Sequence, residues 1–223
     1  MGSGYFITGT DTNVGKTWVT VALMRYLKSQ GQSVLGMKPV ASGCFLQHGK
    51  LKNLDALLIQ ENATLKLDYA LLNPYAYASP VSPHIAGADN PVDLAVVSAN
   101  FRRLTPLADK VLVEGAGGWY SPINNGEDVS DLALALGLPV ILVVAIRLGC
   151  INHAQLSARA ILQSGLPCAG WVAVCAEPQL PCLEENIQTI TEKLPIPRLA
   201  VLPYLAAVDF DRLALAFHGG ATL

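Results

Sequence analysis

Residues 9–17 read GTDTNVGKT and hold residue types that can bind a phosphate group, between an apolar run and a helical pattern. Gly15 lets the backbone approach a phosphate closely, Lys16 supplies positive charge for the β and γ oxygens, and the Thr17 hydroxyl can ligate Mg²⁺. A loop that curls before a helix also directs backbone N–H groups to one point. The alternative is a polar turn with a capping threonine, but the strand before and the helix after favour a phosphate site.

Lys38 is the next residue that can do chemistry, because it follows the apolar run SVLGM at residues 33–37. A lysine at the end of a buried strand is costly unless its ammonium meets an anion or reaches the surface. The phosphate loop on a neighbouring strand favours the anion. Ser42 follows shortly afterwards and can donate a hydrogen bond to the same group.

Glu114 lies in the apolar run KVLVEGA, residues 110–116, which we expect to end as a strand near this carboxylate. Beside a nucleotide, such a carboxylate binds Mg²⁺ directly or through water, whereas the alternative is a capping acid on a turn. Asp55 is either a second oxygen ligand or a first-turn helix residue. Hard oxygen donors beside a phosphate select Mg²⁺ rather than zinc.

A second anion site is suggested by the sequence IRLGCINHAQ, residues 146–155, after the fourth apolar run. Gly149 and Asn152 precede a helical pattern, and Asn152 is a candidate N-cap. Free backbone N–H groups at that point suit a carboxylate. Because capping requires no ligand, the sequence alone leaves both interpretations open.

The elements that must position these residues alternate between strands and helices. Continuous apolar runs indicate strands buried on both faces. In the segments between these runs, the apolar residues have the spacing of amphipathic helices. We therefore expect an α/β fold of the P-loop NTPase type, with a mostly parallel central sheet flanked by helices on both faces, in one domain over residues 1–223. Ligands bind such sheets at the carboxyl ends of the strands. We expect a long ordered loop over residues 73–91, strands at 5–8, 33–37, 110–116, 139–145, 170–176 and 198–205, and helical segments around 19–27, 131–137 and 154–162.

Composition narrows the class of protein. Charged residues make up 14% of the chain and the formal net charge is −2, so nothing favours a nucleic-acid or membrane partner. The longest apolar run, residues 132–146, is too short and too interrupted to span a membrane. Five cysteines without a Cys-x-x-Cys pair favour reduced thiols, and we expect a cytoplasmic protein.

Six motifs in order resemble one family, the ATP-dependent dethiobiotin synthetases: GTDTNVGKT, KPVASG, NLDAL, SPHIA, VEGAGGW and LGCINHA, within residues 5–171. The family's loop has the pattern G-T-D-T-x-V-G-K-T, which explains why five residues rather than four separate Gly9 from Gly15. The resemblance implies that 7,8-diaminopelargonic acid, CO₂ and Mg-ATP yield dethiobiotin, ADP and phosphate. A carbamate forms first, ATP phosphorylates it, and the second amine closes the cyclic urea.

The resemblance also implies residue roles and a homodimer. Lys38 is the catalytic lysine, Lys16 assists it on the γ-phosphate, and Thr17, Asp55 and Glu114 hold Mg²⁺. The residues implied to contact the substrate are Thr12, Ser42, Leu148, Gly149 and Asn152. Of these, the segment 148–152 would receive the substrate carboxylate across the dimer interface. The nucleotide would be bound by Asn13, Val14, Gly15, Lys16, Thr17, Trp18, Asp55, Glu114, Gly115, Ala116 and Gly117, and by Pro203, Tyr204 and Leu205.

The chain departs from the family pattern after its GWVA strand, where many members carry an asparagine that contacts the adenine. Here Val174 and Cys175 stand instead, and neither side chain can make those hydrogen bonds. Backbone contacts from this loop or from residues 202–205 would have to replace them, so we expect weak discrimination between nucleotide bases. Arg147 replaces a frequent lysine, and the stretch after Tyr204 matches poorly; neither affects the assignment.

Three rival interpretations compete with this resemblance, and the sequence argues against each. A partitioning-type ATPase switch shares the expected fold, but it usually has a lysine at the start of the loop, where this chain has Thr8, Gly9 and Thr10. An ATP-dependent domain of the cobalamin amidotransferases would need a glutaminase that this length cannot hold. A degenerate nucleotide-binding scaffold would not be expected to keep Lys16 and Lys38 together with the acidic residues.

Overall fold

The central sheet of the computed structural model, which describes residues 4–219, has six parallel strands in the order β10-β9-β8-β1-β7-β2. The strands are β1 Gly4–Gly9, β2 Val34–Met37, β3 Val40–Ala41, β4 Phe45–Gln47, β5 Lys50–Lys52, β6 Tyr75–Ala76, β7 Lys110–Gly118, β8 Val140–Ala145, β9 Cys168–Val174 and β10 Arg198–Leu202. The helices are α1 Lys16–Ser29, α2 Leu54–Asn62, α3 Tyr69–Leu72, α4 Pro83–Ala86, α5 Leu94–Leu104, α6 Val129–Leu136, α7 Cys150–Gln163, α8 Leu183–Lys193 and α9 Phe210–Ala214, with 3₁₀ turns at Thr105–Leu107 and Leu215–Gly219. All six apolar runs thus form the sheet that the sequence predicted.

Each strand of the sheet is buried on both faces because helices cover both. Alternate residues of β1 separate accordingly: Phe6 joins the core beneath α5 to α8, while Tyr5 and Ile7 join the core beneath α1, α2 and α9. This alternation is the reason why the strands read as continuous apolar runs rather than as polar–apolar repeats. The expected α/β fold, with helices on both faces of a parallel sheet, is therefore confirmed.

Strands β1, β2, β7 and β8 are parallel, so their carboxyl ends lie at the same edge of the sheet. The loop after β1, the residues after β2 and the second half of β7 converge there. Strands β3 and β6 form a separate parallel pair, and β4 and β5 form an antiparallel pair. The site residues are therefore brought together by topology, although they are far apart in sequence.

Several predicted boundaries differ from the structure. The expected loop at residues 73–91 contains the short strand β6 and the helical turn α4. Strand β7 continues beyond the expected end at residue 116 because Gly118 still pairs with Gly9 of β1. Strand β10 ends at Leu202, before the predicted residue 205. All five cysteines are unpaired, and within residues 4–219 no helix is long and apolar enough to cross a membrane.

Candidate functional site

The loop between β1 and α1 has the geometry of a phosphate-binding loop. Gly15 is the N-cap of α1, with φ of 90° and no side-chain cap, so the first amides of the helix are left for a ligand. A Cβ added at Gly15 would lie 2.9 Å from Cγ1 of Val174. Both the left-handed backbone and this close approach require glycine.

The Glu114 carboxylate accepts hydrogen bonds from three side chains behind this loop. This carboxylate has no exposed surface and lies in the middle of β7 rather than at the strand end. Thr17 Oγ1 donates to Oε1 at 2.9 Å, Thr20 Oγ1 donates to Oε2 at 2.9 Å, and Lys38 Nζ donates to Oε1 at 2.5 Å. A buried carboxylate is tolerated here because a cation and two hydroxyls satisfy it.

Lys38 is almost fully buried and joins three groups of the site. Besides Glu114, its ammonium lies 3.4 Å from Oδ2 of Asp55 and donates to the carbonyl oxygen of Gly115 at 3.2 Å. Burial favours the neutral amine, but Glu114 and Asp55 outweigh it and raise the pKa of Lys38 above its ordinary value. Lys38 is therefore a charged ammonium at neutral pH.

Lys16 differs from Lys38 because its ammonium has no carboxylate partner within bonding distance among residues 4–219. Its Nζ donates to the main-chain oxygen of Asp11 at 2.8 Å and so folds back over the loop. Burial, with the neighbouring Lys38 charge, lowers the pKa of Lys16 to about 8. An anion bound in the loop would supply the partner that this ammonium lacks.

The oxygen donors at this point suit a magnesium ion. The Thr17 hydroxyl and the carboxylate of Glu114 lie within hydrogen-bond distance of each other, and both Glu114 and Asp55 contact the Lys38 ammonium. The Lys38 ammonium thus lies between the two carboxylates and contacts both. Mg²⁺ beside a phosphate loop usually takes only one or two oxygen ligands from the protein, because waters and phosphate oxygens fill its other positions.

These side chains line a cavity of about 830 Å³ at the carboxyl edge of the sheet. That volume suits a nucleotide together with a small second substrate. The predicted site residues that line it are Thr12, Asn13, Val14, Gly15, Lys16, Thr17, Trp18, Lys38, Ser42, Asp55, Glu114, Ala116 and Gly117. Its remaining walls include Asn53, Leu58, residues 80–83, Ser121, Val174 and Ala176.

Gly115 and two further predicted segments do not line this cavity, although the Gly115 oxygen accepts from Lys38. Pro203, Tyr204 and Leu205 follow the end of β10, and Leu205 is buried in the core beneath α1. Leu148, Gly149 and Asn152 lie before and within the first turn of α7, outside the cavity lining.

The N-cap prediction for Asn152 is wrong. Helix α7 begins at Cys150, and its N-cap is Gly149 with φ of 91°, which places Asn152 on the exposed side of the first turn. Glycine takes the capping position because the chain turns there in the left-handed region. The first turn has no side-chain cap, and Leu148 beside it is fully exposed.

Thr20 is a site residue that the sequence analysis missed. Its hydroxyl oxygen lies 2.9 Å from both Oε2 of Glu114 and the Lys16 carbonyl oxygen, so its single proton is shared between these two acceptors. The signal was available, because Thr20 follows Thr17 by three residues and therefore lies on the same helix face.

The end of β9 presents only apolar side chains to the cavity. Val174 and Ala176 line it, while Cys175 is buried away from it. Val174 also contacts the phosphate loop through its proximity to Gly15. The sequence-based expectation that no side chain here offers a base hydrogen-bond partner agrees with this placement.

The fold and the loop together define a nucleotide-binding α/β protein of the P-loop type. Solved structures with this fold include MinD from Aquifex aeolicus, at TM-score 0.59 and 16% identity over 95% of this chain and 87% of that one. A ParA family ATPase from Chlorobium tepidum matches at TM-score 0.56 and 14% identity, covering 96% and 90%. At such low identity these neighbours show the fold alone.

Sequence comparison gives the family. A family model described as an AAA domain matches residues 3–212. ATP-dependent dethiobiotin synthetase BioD 1 of Escherichia coli K12 is 47% identical over 208 residues, covering 92% of each chain. ATP-dependent dethiobiotin synthetase BioD of Pseudomonas paraeruginosa is 46% identical over 217 residues, covering 96% of this chain and 94% of that protein. The chain belongs to the ATP-dependent dethiobiotin synthetase family, a family of enzymes.

Proposed function

We propose that this chain uses ATP to carboxylate 7,8-diaminopelargonic acid with CO₂ and to close the product into the cyclic urea dethiobiotin. The single observation that carries the proposal is the position of Lys38, a buried ammonium at the same cavity as the phosphate loop. Family membership at 44–47% identity supports the same reaction. Neither feature is expected of a switch protein that binds only nucleotide.

The reaction begins when one amine of the substrate adds to CO₂, giving a carbamate and releasing a proton. A carbamate oxygen then displaces ADP from the γ-phosphorus, and the second amine attacks the carbamoyl carbon and expels phosphate. Each step gathers negative charge on oxygens near one point. Such chemistry needs positioning and charge neutralisation more than it needs covalent help from the protein.

Lys38 and Lys16 supply that neutralisation from two sides in our proposal. Lys38 holds the carbamate and the transferred phosphoryl oxygens, since it is a buried, charged ammonium in the lining of the cavity. Lys16 turns from Asp11 to the γ-phosphate when nucleotide enters. Thr12 and Ser42 contact the carbamate or the diamine, and the buried Ser42 hydroxyl has no partner among the described residues, which suits a ligand contact.

We propose that Thr17, Asp55 and Glu114 hold Mg²⁺, directly or through water. When bound, the ion would neutralise β- and γ-phosphate oxygens and so favour phosphoryl transfer. The chain's own part is to orient the Glu114 carboxylate, which Thr17 and Thr20 do through their hydroxyls.

We further propose that the enzyme acts in the cytoplasm as a homodimer. The site residues expected from the family include Leu148, Gly149 and Asn152, which do not line the cavity of their own chain. The N-terminus of α7, which has no side-chain cap, offers backbone N–H groups that suit the substrate carboxylate of a second copy, and Leu148 beside it is exposed. Sedimentation of the purified protein, with and without substrate, tests this: a monomer under both conditions contradicts it.

Turnover with defined substrates tests the proposed reaction. Purified protein is incubated with Mg-ATP, bicarbonate and the diamine, while mass spectrometry follows dethiobiotin and a coupled assay follows phosphate. We expect diamine-dependent dethiobiotin with one phosphate per product. Nucleotide hydrolysis that ignores the diamine and yields no dethiobiotin would instead support the partitioning-type ATPase, the second candidate favoured by the fold.

A further inference from the structure

A chain of buried hydrogen bonds connects the backbone of Lys38 to the start of helix α2, which carries Asp55. Lys38 leaves the sheet after β2, and both of its main-chain polar groups bond to the end of α3, one to the last helical residue and one to the C-cap. Its N–H donates to the Leu72 oxygen at 3.0 Å, and its own oxygen accepts from Nδ2 of Asn73 at 2.7 Å.

Tyr69 continues the chain from Asn73 to α2. Its hydroxyl donates to Oδ1 of Asn73 at 2.9 Å and accepts from the backbone N–H of Asn53 at 2.8 Å. Asn53 is the N-cap of α2, and its side chain accepts from the Ala56 amide. Tyr69 therefore fixes the end of the helix from which Asp55 reaches the site.

Both linking side chains are enclosed. Asn73 is 3% exposed and Tyr69 is 8% exposed. The Lys52 ammonium lies 3.4 Å from the centre of the Tyr69 ring and covers one face of it. Buried groups that are fully bonded hold one geometry, because breaking either bond leaves an unpaired donor or acceptor.

We propose that Tyr69 and Asn73 are positioning residues that set the Lys38 ammonium against the Asp55 carboxylate. They touch neither nucleotide nor diamine in this account, and they act through the backbone at both ends of the chain of bonds. The proposal rests on the proposed function for its catalytic meaning. Its structural content, the coupling between Lys38 and the start of α2, is independent of the substrate.

The chain contains a matched control for Tyr69. Tyr75 is 7% exposed, and its hydroxyl also accepts from the backbone N–H of a helix N-cap, that of Asp93 at 3.0 Å. Tyr69→Phe and Tyr75→Phe therefore each remove one buried hydroxyl and one bond to an N-cap amide. Only Tyr69→Phe interrupts the link to Lys38.

Steady-state kinetics compare the two variants. We expect Tyr69→Phe to lower kcat about tenfold, because small displacements of a catalytic group are costly, while KM for ATP stays within about twofold. Tyr75→Phe removes one hydrogen bond where Tyr69→Phe removes two, so it is expected to lose less thermal stability, and it is expected to keep kcat. Asn73→Leu, which cannot make either bond, is expected to lower kcat at least as far as Tyr69→Phe. Equal kcat for the two tyrosine variants would overturn the proposal.

Amide hydrogen exchange gives a readout that needs no turnover. In Tyr69→Phe we expect faster exchange at both Asn53 and Lys38, whereas Tyr75→Phe accelerates exchange only at Asp93. Unchanged protection of Lys38 in Tyr69→Phe would overturn the proposal even if the wild type makes dethiobiotin. A wild type that makes no dethiobiotin would instead remove the proposed function, and the exchange result would still decide whether the coupling exists.

Discussion

Lys38→Met is expected to lower the free energy of unfolding of the protein without ligands, because Glu114 then stays buried without its cation. The two groups lie 2.5 Å apart, with side chains 6% and 0% exposed. Removing one partner of a buried ion pair costs about 3–5 kcal/mol. Thr17 and Thr20 continue to donate to Glu114, so we expect the lower end, about 3 kcal/mol, which corresponds to about 6–12 °C in Tm for a chain of this size.

Urea unfolding followed by circular dichroism, without nucleotide or divalent ions, measures this loss. The folded-state pKa of Lys38 is raised above the unfolded value of 10.5. The stabilisation is therefore fully present below that value and is lost only as pH rises through the higher folded pKa. We expect the difference between wild type and Lys38→Met to be constant across neutral pH.

Two control variants separate the buried charge from other causes. Arg147→Met breaks an ion pair with Asp11 whose side chains are 42% and 53% exposed, so its cost should be about 0–1 kcal/mol. Lys38→Met combined with Glu114→Gln removes the buried charge as well and should be more stable than Lys38→Met alone. The reasoning is refuted if Lys38→Met costs no more than Arg147→Met, or if the second substitution recovers nothing.

Three further predictions concern the nucleotide. Because Val174 offers no hydrogen bond to a base, kcat/KM for ATP, CTP and GTP should differ by less than about 10²-fold; a larger preference for ATP in initial rates contradicts this. Nucleotide affinity should fall as pH rises above about 8, where Lys16 loses its proton in the empty site, and calorimetry in two buffers should show proton uptake; pH-independent affinity without uptake contradicts this. Gly15→Ala should weaken nucleotide binding at least about tenfold, measured by fluorescence titration, because its Cβ would meet Val174. Gly31→Ala is the control, since φ there is 81° and nothing lies within 4 Å; equal binding losses in both variants contradict the reasoning.

The parallel sheet was predictable because strands covered on both faces leave a simple signal. Runs such as residues 139–145 are continuous, apolar, of strand length and rich in valine and isoleucine, which favours a buried strand over a buried helix. The phosphate loop and Lys38 were predictable for a related reason. A charged residue that directly follows a buried run needs a partner, and the topology supplies one.

The missed features depend on contacts that sequence spacing does not encode. The sequence assigned no element to Tyr69 and placed Asn73 at the start of a long loop, and only the folded chain connects them to Lys38. Asn152 resembled an N-cap by residue type, but the left-handed turn at Gly149 begins the helix earlier. Strand β7 extends further than expected because pairing with Gly9 is a tertiary contact.

The fate of oxygen from CO₂ tests the central claim most directly. If Lys38 and Lys16 bring a carbamate to the γ-phosphate, one carbamate oxygen must leave with the phosphate and the other must stay in the urea. A rapid single turnover with ¹⁸O-labelled CO₂ in ordinary water, analysed by mass spectrometry, should give phosphate that carries one labelled oxygen together with labelled dethiobiotin. Phosphate that carries only unlabelled oxygen, released at the same rate, would mean hydrolysis by water and would contradict the account.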